Sequence, residues 1–224
     1  MMTAAALASD LIATLPMGRP GLFNPWRQDC AHDTPGNGPE ERTERLAGHL
    51  NCPHPQALLI GEAPGYQGCR YSGVAFTSER LLLDGAIPRI AVPVGRLTTR
   101  PLPFSEPSAT IVWRTLYALG LAGSTILWNA VQLHPHRPDA PWTNRTPTPD
   151  EVALGRPALQ ILRGAFPEVP ILAIGQKAAQ LLEAMGLPVA AILRHPANGG
   201  ATLFANGLAE WVQCAGRNPR ASVT

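Results

Sequence analysis

The chain has 224 residues, 45% of them apolar and 15% charged, with a formal net charge of +2. That length suits one domain better than two and allows a sizeable core. The low charged fraction excludes long acidic or basic tails, and 24 Pro and 21 Gly without a repeat period exclude collagen-like or low-complexity architectures.

In chain order, an amphipathic helix is expected over Thr3–Leu15, closed by Pro16, Gly18 and Pro20. Asp10 interrupts its apolar run and no basic stretch precedes it, so it does not read as a secretory signal. A loop rich in Pro, Asn and Asp follows, and Pro39 opens a short polar helix that runs to Leu50. Ala57–Ile60 reads as a strand and Ser78–Leu83 as a short helix. Five prolines between Pro88 and Pro107 allow at most one edge strand there. Helical spacing returns over Ser108–Leu121, then a strand from Thr125 to about Leu133 and a loop from His134 to Pro147. Thr148-Pro149-Asp150-Glu151 is a capping box opening a helix to Phe166, with a kink expected at Pro157. Strand Pro170–Ile174, helix Gln176–Met185, strand Val189–Leu193 and helix Thr202–Cys214 complete the series. Alternation of this kind predicts an α/β three-layer sandwich: a central four-stranded parallel sheet flanked by helices. One domain over residues 1–224 is expected, with residues 1–55 packed on it as an N-terminal extension.

No run of roughly 18 or more apolar residues occurs, so no membrane partner is expected. The four cysteines, Cys30, Cys52, Cys69 and Cys214, form no C-x-x-C pair. Neither a disulfide framework nor a metal site is expected from them, and a cytoplasmic location fits. Charge is unevenly spread: residues 1–62 carry −3 and residues 63–224 carry +5, with Lys177 the single lysine. Arg70, Arg137 and Arg194 fall in predicted loops, where the guanidinium fork suits phosphate. An Arg-for-Lys compositional bias reads the same numbers without a polyanion.

Three apolar runs end in polar groups: Ala57–Ile60 at Gly61-Glu62-Ala63-Pro64-Gly65, Thr125–Trp128 at Asn129, and Val189–Leu193 at Arg194-His195-Pro196. The carboxyl edge of an open parallel sheet is where ligands bind. Each group also has a plainer reading. The Gly61–Gly65 segment lacks the lysine of a phosphate loop and the G-x-G-x-x-G of a dinucleotide site, and alone it is an ordinary turn. Asn129 offers an amide matching a nucleobase edge, or it ends a turn. His195 is a catalytic imidazole or a structural one. Phe76 stacks a planar ligand or fills the core.

Taken together and in order, these segments resemble the uracil-DNA glycosylase superfamily, most closely its family-4 type, over roughly residues 56–212. Gly61-Glu62-Ala63-Pro64-Gly65 matches the first motif, Phe76 stands at the stacking phenylalanine, Asn129 at the uracil-reading asparagine and His195-Pro196-Ala197 at the second motif. The resemblance implies a monofunctional DNA glycosylase that flips uracil from DNA and hydrolyses its N-glycosidic bond, starting base excision repair as a monomer at the nucleoid. It implies His195 and Glu62 as catalytic groups. Gly61, Ala63, Pro64, Gly65, Tyr66, Phe76 and Asn129 would bind substrate, and Arg70, Arg137 and Arg194 would touch phosphates.

The departures are equally specific. Family-4 enzymes hold an iron–sulfur cluster, but two of its cysteine positions are Leu133 and Gly155 here, so no cofactor is expected. The family's acidic run after the first motif is Tyr66-Gln67-Gly68-Cys69-Arg70, which leaves thymine exclusion open, with Tyr66 available for it. Ala63 replaces a water-orienting aspartate of other uracil glycosylases, and Ala197–Ala201 offers no bulky wedge. Activity on hypoxanthine or xanthine, a catalytically degenerate nucleic-acid-binding module, and a small-nucleotide hydrolase therefore stand beside the uracil reading.

Overall fold

The computed structural model of the chain describes residues 2–216. The helices are α1 (Ala4–Ala13), α2 (Pro39–Leu50), α3 (Cys69–Ser72), α4 (Glu79–Leu83), α5 (Pro107–Ala118), α6 (Pro149–Ala165), α7 (Gln176–Ala184) and α8 (Ala201–Gly216). The strands are β1 (Leu22–Phe23), β2 (Ala57–Gly61), β3 (Thr125–Asn129), β4 (His134–Pro135), β5 (Ile171–Ile174) and β6 (Ala191–Leu193).

Four of these strands form one parallel sheet in the order β3-β2-β5-β6. Side chains alternate across a strand, so its two faces build two cores. Leu58, Ile60, Ile126, Trp128, Ile171 and Ala173 face α1, α2, α6 and α7, where they meet Leu11, Leu46, Leu159 and Leu182. Ala57, Leu59, Leu127, Leu172, Ile174 and Leu193 face α4, α5 and α8, where they meet Leu82, Trp113 and Phe204. The predicted three-layer α/β sandwich is the observed fold. The chain runs from β2 to β3 on one side and then crosses to β5 on the other, so the winding reverses between β2 and β5, where such sheets form a crevice at their carboxyl ends.

Helix boundaries follow local chemistry. The capping box of α6 forms with both hydrogen bonds, Glu151 N to Thr148 Oγ1 at 3.4 Å and Thr148 N to Glu151 Oε2 at 2.9 Å. Pro39 sits in the first turn of α2, and Gly38 N–H donates to Glu41 Oε2 at 2.6 Å. Two expectations need correction. The strand expected to reach about Leu133 ends at Asn129, where the chain turns and Gln132 Nε2 donates to Asn129 O. The loop expected from His134 instead begins as β4, which pairs antiparallel with β1. Two-residue strands carry no readable period, and this pair forms because Arg145 clamps it: Nε and Nη2 donate to His136 O and Gly21 O, and both terminal nitrogens reach Glu151 at 2.7 Å.

The segment between β1 and α2 has little apolar content and is held by a fully buried arginine. Arg42 Nη1 lies 2.9 Å from both carboxylate oxygens of Asp33, and its other nitrogens reach Pro25 O and Gln28 O. Removing one partner of such a pair strands the other charge away from water. Arg42→Met is expected to lower unfolding free energy by about 3–5 kcal/mol, read as a shift of the urea midpoint at unchanged slope; a change under ~1 kcal/mol would show that the pair contributes no more than a surface ion pair.

Candidate active site

The central strand β2 and the edge strand β3 deliver their last residues side by side. Gly61 and Asn129 are direct register partners at the carboxyl ends of β2 and β3. The ladder runs one step further, Ala130 N to Gly61 O at 2.8 Å and Val131 N to Glu62 O at 2.9 Å, so the start of the 61–65 turn is pinned to β3. A Cβ at Gly61 would stand 2.6 Å from Phe76 Cε2 and 2.8 Å from Asn129 Oδ1. Both groups occupy the space a side chain would need. Asn129 uses its carbonyl to accept Gln132, while its side-chain amide, 5% exposed, is engaged by no other described residue.

Phe76 has φ +50, a conformation that costs an L-residue. It is held there by Trp113, whose indole N–H donates to Phe76 O at 2.9 Å from the buried face of α5. Its ring lies 6.3 Å from that of His195. Behind His195 stands Gly175, with φ +93 and its would-be Cβ 3.2 Å from His195 Cβ; glycine there satisfies both the conformation and the space. Ala197 N–H donates to His195 Nδ1 at 3.1 Å. An accepting Nδ1 in a neutral ring leaves the proton on Nε2. Burial, and then the Arg194 charge next door, push the His195 pKa down from its ordinary value, so the ring is neutral at pH 7.

The first-motif turn is braced from outside. Asn144 Oδ1 accepts Tyr66 N–H at 2.9 Å and lies 3.0 Å from His134 Nε2, while His134 Nδ1 accepts from Arg70 Nη1 at 2.8 Å. Burial and the adjacent Arg70 drive the His134 pKa down to about 3, which keeps this relay neutral at its centre. The Arg70 guanidinium also stacks 3.8 Å over Phe23 and donates to Cys30 Sγ. Arg70 was expected on a loop touching phosphate. It lies in α3 rather than on a loop, is 5% exposed, and its Nε and Nη1 face Cys30 and His134 inside the protein. Arg194 is exposed, and the Arg137 side chain is 63% exposed beside Asp139 at 3.8 Å. Glu62 stands half-buried at the rim, 3.7 Å from Lys177 Nζ.

A cavity of about 540 Å³ opens beside this cluster, between the two motif loops, lined by Gly65, Tyr66, Gln67, Glu106, Asn144 and the segment from Pro196 to Gly199. Sequence reasoning missed Glu106 and Asn144; each sits in an irregular stretch with no motif to mark it. Two further hollows, about 650 and 690 Å³, touch none of the sheet's carboxyl ends. One lies among Arg45, Arg89 and Val92, the other between α1 and the end of α6.

A family profile for the "Uracil DNA glycosylase superfamily" matches residues 48–212. This chain belongs to the uracil DNA glycosylase superfamily. Its members are DNA glycosylases that act on damaged bases, so DNA is the partner class. The crystal structure of wild-type SMUG2 from Pedobacter heparinus superposes with a TM-score of 0.66 at 16% identity, covering 97% of this chain and all of that one. At that identity the likeness speaks for the fold. No curated protein matches the chain.

The iron–sulfur cluster of family-4 relatives does not fit these residues. Leu133 is fully buried in the core, and a Cβ at Gly155 would stand 2.2 Å from Ala130 O, so no ligating side chain has room there. Trp26 belongs to the same core cluster as Leu133, stacked on Trp128 at 5.7 Å with its indole N–H on Gly73 O.

Gly61→Ala is expected to displace the Phe76 ring and cost about 1–3 kcal/mol of stability. Thermal unfolding and binding of extrahelical-base DNA both read it; wild-type values in both would show that the contact at Gly61 is not restrictive.

Proposed function

We propose that this protein excises uracil from DNA, with the flipped base held where Gly61, Phe76, Asn129 and His195 converge. The observation that carries the reading is the fixed His195 tautomer: Nδ1 accepts from Ala197, so a neutral ring has Nε2–H free to donate. Departure of uracil builds negative charge at O2, and one well-placed donor in a dry site is worth about 3 kcal/mol. Asn129 pairs with O4 and N3–H of the base through its free amide, and Phe76 stacks the ring, a contact worth roughly 1–3 kcal/mol. Unpairing the base costs a few kcal/mol and is cheapest at a mismatch. Exposed Arg137 and Arg194 hold phosphates. Trp142, 62% exposed and two residues from Asn144, fills the vacated stack, since the second motif has no bulky group.

The segment after the first motif, Tyr66-Gln67-Gly68-Cys69-Arg70 in place of an acidic run, leaves a second reading, release of a deaminated purine such as hypoxanthine or xanthine. A panel of oligonucleotides bearing each base separates the two by abasic-site formation, and tight binding without release of any base would support a non-catalytic module instead. His195→Ala is expected to slow single-turnover uracil release about 10²–10³-fold, and Asn129→Asp to reduce the preference for uracil over cytosine. An undiminished rate in the first variant removes His195 from the chemistry.

A further inference from the structure

One acid in the cavity wall has no task in the reading above. Glu106 is the N-cap residue of α5: its carbonyl accepts Thr110 N–H, but its side chain makes no capping hydrogen bond. The Oε2 atom is sealed from solvent and has no hydrogen-bond partner. Room for it is made by two glycines of the first-motif loop. A Cβ at Gly68 would stand 2.0 Å from Glu106 Oε2, and one at Gly65 would stand 3.2 Å from Oε1. A carboxylate oxygen sealed from water without a partner is costly and is not kept for stability, and Glu106 as a whole is only partly exposed. Here it lines the cavity shared by the two motif loops, opposite Pro196, Ala197 and Asn198.

We propose that Glu106 is the carboxylate that faces the sugar of the extrahelical nucleotide, where it stabilises positive charge at C1′ and takes the proton of the attacking water. The inference rests on the glycosylase reading of the same site. As the C1′–N bond breaks, its electron pair leaves with the base. Water oxygen bonds C1′, its proton passes to Glu106, and Glu106 returns that proton to the departed base or to solvent. The resemblance to the family assigned this work to Glu62. Glu62 stands at the rim instead, its side chain 28% exposed and 3.7 Å from Lys177 Nζ, and it is not among the residues lining the cavity.

Supporting this geometry, burial raises the Glu106 pKa to about 7, with no neighbouring cation opposing it. The titratable groups of the packed loop are Tyr66, in the cavity wall, and Cys69, whose thiol is pushed up by burial and then by Glu106 itself. His195, next in the chain to the Pro196 that lines the cavity, titrates below its ordinary value. Glu106 works as the anion, so base release by the wild type falls as pH drops through about 7, while His195 remains neutral across that range.

The test compares binding of two duplexes, one with a cationic pyrrolidine in place of the target sugar and one with a neutral tetrahydrofuran. The wild type is expected to favour the cation at least tenfold at pH 8 and to lose that preference by pH 5.5. Glu106→Gln, equal in shape and unfolding cooperatively, is expected to show no preference at either pH, and Glu62→Gln to keep it. A cation preference that survives Glu106→Gln, or its absence from the wild type, overturns the proposal. If the preference depends on Glu106 yet no deaminated base is released, the assigned reaction fails while the carboxylate–sugar contact stands.

Discussion

A side chain that is absent organises this protein. Gly61 ends the central strand with no Cβ, and the space is filled from two directions, by the Phe76 ring and by the Asn129 amide. The strand register sets Gly61 beside Asn129, so an aromatic ring and a side-chain amide meet at one point of the sheet edge. Everything around them holds that meeting. Trp113 fixes the unusual backbone of Phe76 from α5, and Gly175 leaves room for His195 from the end of β5. The sheet register sets Gly61 against Asn129, while the adjoining cavity is walled by loops, from Gly65–Gln67 on one side and Pro196–Gly199 on the other.

Arginine plays a different part from the one its abundance implies. Arg42, Arg70 and Arg145 tie irregular segments to one another, each donating to carbonyls, carboxylates or a histidine ring inside the protein. Arg89 donates to the carbonyls of His49, Gly123 and Thr125 in the same way, and Arg96 is paired with buried Glu79. The guanidinium fork that suits phosphate also suits several backbone carbonyls at once. A chain with long proline-rich connections and few regular hydrogen bonds in them needs such clamps. The positive balance of residues 63–224 therefore overstates the charge offered to DNA.

The parallel sheet and its flanking helices were legible because their signals are local and periodic: apolar runs of strand length, the capping box at Thr148, prolines at helix starts. The first and second motifs were legible as strand ends followed by glycine and proline. What escaped depends on contacts between distant segments. The β1–β4 pair exists through Arg145 and Glu151, and Arg70 looked like a loop cation because nothing near it in sequence announces Phe23, Cys30 and His134. Glu106 follows a proline-rich stretch as an unremarkable polar residue. Only the fold brings Gly65 and Gly68 against it.

A crystal structure with duplex DNA carrying 2′-fluoro-deoxyuridine, whose N-glycosidic bond resists cleavage, tests the central claim most directly. The account places the uracil ring against Phe76, with its O4 and N3 edge on Asn129 and its O2 within hydrogen-bond distance of His195 Nε2. A base bound in the hollow between Arg45 and Arg89, or left stacked in the duplex while the protein covers it, would contradict the account.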